Sequence, residues 1–253
     1  MPHFTSEGIS VAYESFGEGP PVILVHGFGS NRHVNWINTG WTESLVAAGY
    51  RAIALDNRGH GESEKLYDPA LYSARTMARD VANLIDHLGL GRAALIGYSM
   101  GARIAAFVAL DAPEKVAAAV FGGLGEAMVT GMEDGAVIVE GLRAEKLSDV
   151  TDKTARQYRI FADHTGSDRA ALAACMAGTR VPIAADLIAR ITVPVLVAVG
   201  TEDAVSGPAA PLAAILPQGE VLDITGRDHM RATGDPQFKR GVMAFFERVY
   251  PAG

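Results

Sequence analysis

A serine between two glycines is the first candidate for chemistry in this chain. Ser99 lies in Gly97-Tyr98-Ser99-Met100-Gly101, directly after the apolar run 93–96, and G-x-S-x-G between a strand and a helix is typical of a nucleophilic serine. So sharp a turn strains its central residue, and side chains at its flanks would clash, which explains the glycines. Residues 102–110 are rich in helix formers and are followed by Pro113, which cannot continue a helix. The sequence therefore predicts a strand, a sharp turn that carries Ser99, and a helix.

A serine hydroxyl needs a base that removes its proton as it attacks. Among the seven histidines we favour His229, because a loop leaving a predicted strand over 220–224 would bring it to the same edge of the sheet as Ser99. His26 also follows a predicted strand, but we expect another role for it. The remaining five are expected to be surface or structurally hydrogen-bonded residues: His3, His33, His60, His87 and His164.

An acid that fixes the tautomer of the base should follow another strand at the same edge. The apolar run 193–199 predicts a buried strand, and Asp203 follows it after a short turn. Glu202 is the adjacent rival and is expected to point elsewhere. Asp228 directly precedes His229, which makes it hard for that carboxylate to orient the ring. Spacing therefore favours Asp203 over both.

The order of these candidates along the chain, Ser99, Asp203 and then His229, resembles that of the α/β-hydrolase family. The resemblance covers nearly the whole chain. Besides the turn at Ser99, it rests on three further motifs: His26-Gly27-Phe28-Gly29, Asp56-Asn57-Arg58-Gly59-His60-Gly61-Glu62-Ser63 and Gly200-Thr201-Glu202-Asp203. Four motifs in the family's order make chance agreement implausible.

The resemblance implies roles for several further residues. The backbone N–H groups of Phe28 and Met100 would form an oxyanion hole, which hydrogen-bonds the oxygen of a tetrahedral intermediate. His26 would brace its own loop. A hydrogen-bonded turn would contain Asp56, Arg58 and Ser63.

These residues and the resemblance together imply a serine hydrolase. The specific expectation is a carboxylesterase that cleaves small to medium esters through an acyl-enzyme at Ser99, which water activated by His229 then hydrolyses. No metal or organic cofactor is implied, and the expected partner is a small-molecule ester-type substrate. An aspartate in place of Ser99 would have indicated a dehalogenase or an epoxide hydrolase.

Three alternatives stay open. The same residues could hydrolyse a C–C bond, a lactone or an amide, or form a peracid, because fold and triad do not fix the substrate. A ligand-binding receptor with slow turnover is the second alternative. A structural or interaction protein with a degenerate site is the third.

Strand and helix patterns alternate along the chain. An opening β-type segment covers 9–15, and strands are predicted near 22–26, 51–55, 93–97, 116–122, 193–199 and 220–224. Helices are predicted near 42–48, 74–88, 99–110, 208–216 and 236–249. This alternation predicts an α/β fold, a mostly parallel sheet with helices on both faces and with ligands at the carboxyl ends of its strands.

A helical cap is expected between two of the predicted strands. About 70 residues separate 116–122 from 193–199, far more than one crossover helix needs. Helical patterns lie near 136–147, 152–163, 168–177 and 184–190. The resemblance places such a cap after the sixth strand of the fold. We therefore predict a core domain of residues 1–126 and 191–253 and a helical cap insertion of residues 127–190.

Two sets of residues could contact a substrate or could only pack. In the cap they are Phe161, Met176, Leu142 and Met132, and in the loop after the first buried strand they are Asn31, Arg32, Asn35 and Trp36. We assign neither set to the site.

Composition limits the class of partner and the compartment. The chain has 253 residues, and its 22 basic against 29 acidic residues give a net charge of −7, which argues against a nucleic-acid partner. Cys175 is the single cysteine, so no intrachain disulfide can form, and we expect a packed, inert thiol. No basic segment precedes an apolar core at the start, and no run approaches about 18 apolar residues. A cytoplasmic location without a membrane partner is the resulting expectation, and the oligomeric state is not assigned.

Overall fold

The apolar runs of the sequence form the inner strands of one sheet. The computed structural model describes residues 2–131, 135–179 and 181–253. Across these ranges the strands are β1 (His3–Ser6), β2 (Ile9–Phe16), β3 (Pro21–Val25), β4 (Arg51–Leu55), β5 (Ala93–Tyr98), β6 (Val116–Gly122), β7 (Val195–Gly200) and β8 (Gly219–Ile224). They form an eight-stranded sheet in the order β1-β2-β4-β3-β5-β6-β7-β8. β2 is antiparallel to both of its neighbours, and all other neighbouring pairs are parallel.

Helices connect the parallel strands. In the same ranges they are α1 (Trp41–Ala47), α2 (Ala74–His87), α3 (Met100–Asp111), α4 (Ala127–Thr130), α5 (Ala136–Arg143), α6 (Lys153–His164), α7 (Arg169–Thr179), α8 (Ala185–Ile188), α9 (Ala209–Ile215), α10 (His229–Ala232) and α11 (Pro236–Val249). A short π-helical segment, His33–Ile37, precedes α1.

Both faces of the sheet are covered by helices. Along β3, Ile23 and Val25 belong to a core that includes residues of α2, α3 and α9, whereas Val22 and Leu24 belong to a second core with residues of α1 and α11. Because successive side chains of a strand point to opposite faces, the strand is apolar throughout. This arrangement also brings the carboxyl ends of the parallel strands to one edge of the sheet.

A helical segment lies between β6 and β7. Its helices α5, α6 and α7 pack around a small core of Ile138, Leu142, Ala162, Leu172, Ala173 and Met176. The sheet and this segment after the sixth strand confirm the predicted fold class. The division into a core domain and a cap insertion of residues 127–190 stays a prediction. Met132, named above as a pocket candidate, lies outside the described residues.

Three elements of four residues each were not predicted from the sequence. The strand β1 pairs with β2 over four residues, from His3 opposite Ala12 to Ser6 opposite Ile9. The helices α4 and α10 also contain four residues each. Elements of this length show no hydrophobic periodicity, because they are shorter than the window in which a period can be recognised.

Among the helices in the three described ranges, none combines the length and the apolar character needed to cross a membrane.

Candidate active site

Ser99 lies at the sharp turn between β5 and α3. Its φ of 54° and ψ of −113° are unusual for a residue with a side chain, and such strain persists only where the surroundings enforce it. A Cβ atom on Gly97 would lie 2.2 Å from the carbonyl oxygen of Gly101, and one on Gly101 would lie 2.0 Å from that of Val25. Both positions therefore require glycine.

His229 follows β8 and contacts Ser99 at the same edge of the sheet. It is the first residue of α10, and the side chain of Asp228 caps this helix by accepting the N–H groups of Met230 and Arg231 at 3.1 and 2.8 Å. The His229 Nε2 atom lies 3.1 Å from Ser99 Oγ. Asp228 is thus occupied at the helix terminus while His229 contacts the serine.

Asp203 contacts the opposite nitrogen of the same ring. Its Oδ2 lies 2.7 Å from His229 Nδ1, and its side chain is fully buried. Oδ1 accepts the N–H groups of Val205 and Ser206 at 2.8 and 3.0 Å. Burial alone would raise the pKa of Asp203, but the hydrogen bonds with His229, Ser206 and Val205 hold this pKa below its usual value. The rival carboxylate of Glu202 belongs to an exposed residue.

The three side chains have complementary donor and acceptor capacities. An ionised Asp203 can only accept hydrogen bonds, so the proton of a neutral His229 ring lies on Nδ1. Nε2 then carries a lone pair directed at the Ser99 hydroxyl. This arrangement can take the hydroxyl proton as the oxygen attacks an electrophile. The structure thus brings Ser99, His229 and Asp203 together as a triad.

Gly27, which precedes Phe28, lies close to Ser99, and Met100 directly follows Ser99. Val25 at the end of β3 is in register with Gly97 of β5, and a Cβ atom on Gly27 would lie 3.4 Å from the Cβ of Ser99. Met100 begins α3, where N–H groups have no partner within the helix. Within the described ranges neither the backbone N–H group of Phe28 nor that of Met100 donates to a protein acceptor. Their role as an oxyanion hole stays a prediction.

His26 holds the loop that contains Phe28. Its Nδ1 donates to the carbonyl oxygen of Gly27 at 2.7 Å, and its Nε2 accepts the N–H of Asn57 at 3.0 Å. Burial lowers the pKa of His26. Because both ring nitrogens bond backbone groups, this buried imidazole connects the loops after β3 and β4.

The segment after β4 forms a hydrogen-bonded turn. Asp56 accepts the N–H groups of Arg32 and Glu62, both at 2.8 Å, and the Ser63 hydroxyl donates to the Asp56 carbonyl at 2.6 Å. The Arg58 guanidinium forms two 2.7 Å bonds with Asp80 of α2. These contacts make the segment part of the framework behind the site.

Three of the four loop residues left open above also belong to this framework. Arg32 and Trp36 are fully buried, and Asn35 accepts the N–H of Gly27 at 2.8 Å through its amide oxygen. Their side chains therefore stabilise the loop after β3, to which they belong, from its buried side.

Helices α6 and α7 lie against the two segments that contain Phe28 and Met100. The Thr165 hydroxyl donates to the Gly29 carbonyl at 3.0 Å, and the Phe28 ring lies 5.8 Å from that of Tyr158. Cys175 of α7 lies 3.8 Å, sulfur to sulfur, from Met100. Burial raises the pKa of the Cys175 thiol to about 12, so this cysteine is a packed thiol.

Two residues at the site were not found from the sequence. The Tyr98 hydroxyl, whose pKa is raised by burial, donates to the His229 carbonyl oxygen. Ser206, fully buried, lies 2.7 Å from Asp203 Oδ2 and 3.1 Å from His229 Nδ1 through its hydroxyl oxygen. Only the position of Ser206 three residues after Asp203 could have suggested it, because a turn closed by an aspartate brings that residue back to the carboxylate.

The described residues contain no group of three or more His, Cys, Asp or Glu side chains placed to hold a metal ion.

Comparisons with known proteins agree with this architecture. The family model of the alpha/beta hydrolase fold matches residues 20–139. Epoxide hydrolase 2 from Siraitia grosvenorii is 34% identical over 119 residues, which are 46% of this chain and 36% of that protein. The chain spans about a third of the length of the curated relatives that it matches.

Two solved structures match nearly the whole chain. A hydrolase from Pseudomonas aeruginosa PA01 is 26% identical with a TM-score of 0.77, and the match covers 97% of each chain. A thermophilic esterase from Thermogutta terrifontis is also 26% identical, with a TM-score of 0.75 over 98% of this chain and 97% of that one. Together with the strand order, these matches show that the chain has the α/β-hydrolase fold, which confirms the expected resemblance.

Proposed function

We propose that this protein is a serine hydrolase, and specifically a carboxylesterase for small to medium esters. One observation carries the proposal. Ser99 Oγ, His229 Nε2 and Nδ1, and Asp203 Oδ2 form a continuous chain with separations of 3.1 and 2.7 Å. The strained Ser99 backbone supports the same chemistry, as do the N–H groups of Phe28 and Met100, which have no acceptor in the described part of the chain.

The first half of the reaction forms an acyl-enzyme. Ser99 Oγ attacks the ester carbonyl carbon while its proton passes to His229 Nε2. The carbonyl oxygen becomes an oxyanion that the N–H groups of Phe28 and Met100 hydrogen-bond. The C–O bond to the alcohol then breaks, and Nε2 returns the proton to the departing oxygen. Asp203 stays ionised and stabilises the transient imidazolium.

The second half releases the acid. Water attacks the acyl carbon while His229 Nε2 takes one of its protons, and the bond between this carbon and Ser99 Oγ breaks as the proton passes to the serine oxygen. The enzyme returns to its starting protonation state.

Ester substrates are favoured by the identity of the nucleophile and by the resemblances. A relative named epoxide hydrolase shares part of the sequence, but this chain has Ser99 where an aspartate would indicate epoxide opening. The structural likeness to an esterase over nearly the whole chain supports ester hydrolysis. A cytoplasmic location and the lack of nucleic-acid and membrane partners stay predictions.

Active-site labelling tests the proposal. The purified protein is treated with a fluorophosphonate, the adduct is measured by intact mass, and p-nitrophenyl acetate and longer esters are assayed in parallel. We expect one adduct per chain and catalytic turnover, both lost in Ser99→Ala. Ser148→Ala, which removes an exposed hydroxyl, is the matched control and should behave as the parent protein.

The other outcomes separate the alternatives. Labelling without turnover of esters would favour a ligand-binding receptor or another substrate class, which lactones, anilides and acetate with hydrogen peroxide would then distinguish. A folded protein that is not labelled would overturn the role of Ser99.

A further inference from the structure

The Ser206 hydroxyl lies behind the contact between Asp203 and His229. Its Oγ is 2.7 Å from Asp203 Oδ2, 3.1 Å from His229 Nδ1 and 2.6 Å from the carbonyl oxygen of Gly123. Ser206 is fully buried. It therefore contacts both partners of the hydrogen bond that orients the proposed base, on the side away from Ser99.

The backbone of Ser206 is fixed independently of this hydroxyl. Its N–H donates to Asp203 Oδ1 at 3.0 Å, and its carbonyl accepts the N–H groups of Gly125 and Ala127 at 3.0 and 3.1 Å. These bonds tie the turn after β7 to the segment after β6. Since the backbone cannot move away, the hydroxyl stays within reach of the carboxylate.

The hydroxyl has one proton and two close acceptors. The Gly123 carbonyl and Asp203 Oδ2 can each accept it, but only one of them receives a full hydrogen bond at a time. A hydrogen bond to an ionised carboxylate is stronger than one to a neutral carbonyl. Although the Gly123 carbonyl is slightly nearer, at 2.6 against 2.7 Å, we therefore assign the proton to Oδ2 while Asp203 is charged. This carboxylate then accepts from four donors: the N–H groups of Val205 and Ser206, the Ser206 hydroxyl and His229 Nδ1.

We propose that Ser206 is a positioning residue of the triad, whose hydroxyl fixes the Asp203 carboxylate and moderates its attraction for the His229 imidazolium. This inference rests on the proposed function. A carboxylate that also accepts a hydrogen bond from a hydroxyl is a weaker acceptor for a protonated ring, so the hydroxyl reduces the attraction of Asp203 for the imidazolium. Ser206 does not touch the reacting atoms and acts through Asp203.

The pH profile of Ser206→Ala tests this role. We expect kcat/KM for p-nitrophenyl acetate to fall about 10- to 100-fold, the range that the loss of a hydrogen bond to a charged group produces. The acid limb of the profile should move to higher pH, because Asp203 then stabilises the imidazolium more strongly. Ser206→Thr keeps the hydroxyl and should restore the position of the acid limb. Ser44→Ala, which removes a hydroxyl that donates to the Gly40 carbonyl at 2.6 Å, should change neither quantity.

Proton NMR provides a readout that needs no turnover. The low-field resonance of the His229 Nδ1 proton should be displaced in Ser206→Ala and return in Ser206→Thr. If Ser206→Ala does not fold, Ser206→Cys gives the same test without a cavity, because a thiol is a weak donor.

The outcomes separate this inference from the proposed function. A parent protein that a fluorophosphonate does not label at Ser99 would overturn both. A parent that is labelled and active, together with an unmoved acid limb and an unmoved resonance in Ser206→Ala, would overturn the positioning role alone. So would a lower melting temperature with no change in the pH profile, which is the result of a merely structural serine.

Discussion

Two segments of the chain place a histidine at the same edge of the sheet, and the two rings are used differently. His26, after β3, is fully buried and bonds backbone groups through both nitrogens. His229, after β8, is about one-fifth exposed at its side chain and bonds two side chains, Asp203 and Ser99. An imidazole whose nitrogens are both taken by backbone groups has no free lone pair and can only hold the loop. The partners, more than the position on the sheet, decide which histidine can move a proton.

Replacing His229 should produce the largest effect on activity. In His229→Ala the Ser99 hydroxyl has no base, and we expect kcat/KM for p-nitrophenyl acetate to fall about 10⁴-fold or more. The fold should persist, because the ring is only partly buried and its removal leaves the sheet intact. Steady-state kinetics and circular dichroism measure the two properties. A folded His229→Ala that keeps a tenth of the parent activity would exclude this residue as the base.

Replacing Asp203 tests whether the orientation of the ring matters. Asp203→Asn keeps the shape but offers His229 Nδ1 an amide, which allows the wrong tautomer, and we expect a loss of about 10³- to 10⁴-fold in kcat. Glu202→Gln is the matched control, since it changes the neighbouring carboxylate, which belongs to an exposed residue, and should leave kcat within about twofold. Equal losses in the two variants would mean that general charge near the site, and not the bond to Nδ1, supports activity.

Replacing His26 should lower the stability of the fold, whereas replacing His229 should lower the activity. His26→Ala leaves the N–H of Asn57 without its acceptor and opens a cavity, so the free energy of unfolding should fall by about 2–4 kcal/mol. His164→Ala, at the exposed end of α6, should change it by less than about 0.5 kcal/mol. Urea denaturation measures both. If the two variants were equally stable, the hydrogen bonds of His26 to the loops after β3 and β4 would not stabilise the fold. His26 would then not be a structural counterpart of His229.

Elements with a continuous apolar run or a helical period could be predicted from the sequence. The predicted strands 51–55 and 116–122 coincide with β4 and β6, and the predicted helix 236–249 coincides with α11. The strand predicted over 193–199 begins at Val195, after Pro194, whose nitrogen has no hydrogen to donate to the sheet. Four-residue elements such as β1 and α10 depend on a pairing partner or a capping side chain, which no local period shows.

The candidate site could be predicted only in part for a related reason. Motif spacing predicted that Ser99, Asp203 and His229 would meet, since each follows a strand whose end the fold brings to one edge, and their side chains do lie in contact. Their catalytic roles stay predictions. Ser206 and Tyr98 could not be identified, because their contacts depend on where a single hydroxyl points in the folded chain. The sequence pattern therefore predicts where the strands end. The contacts that Ser206 and Tyr98 make with Asp203 and His229 are determined by tertiary packing.

The last expected effect concerns the pH dependence of stability and leaves the reacting groups untouched. Burial, with the neighbouring His26 ring next in importance, lowers the pKa of His60 to about 3, while the unfolded chain titrates near its ordinary value of about 6.5. Below about pH 6.5 the unfolded state therefore binds a proton that the native state does not, so stability is complete above that pH and is lost as the pH falls towards about 3. Between about pH 6 and pH 4 this histidine should contribute a slope of about 1.4 kcal/mol per pH unit.

His60→Gln isolates this contribution. The variant lacks the titrating ring but keeps the carboxylates whose own titration begins at lower pH, so the difference between parent and variant reports His60 alone. Unfolding free energies measured by urea denaturation across this range should converge as the pH falls, because only the parent loses the His60 contribution. Parallel curves would mean that His60 takes up its proton as readily in the native state as in the unfolded state. His60 would then not be a buried histidine that stays neutral in the fold.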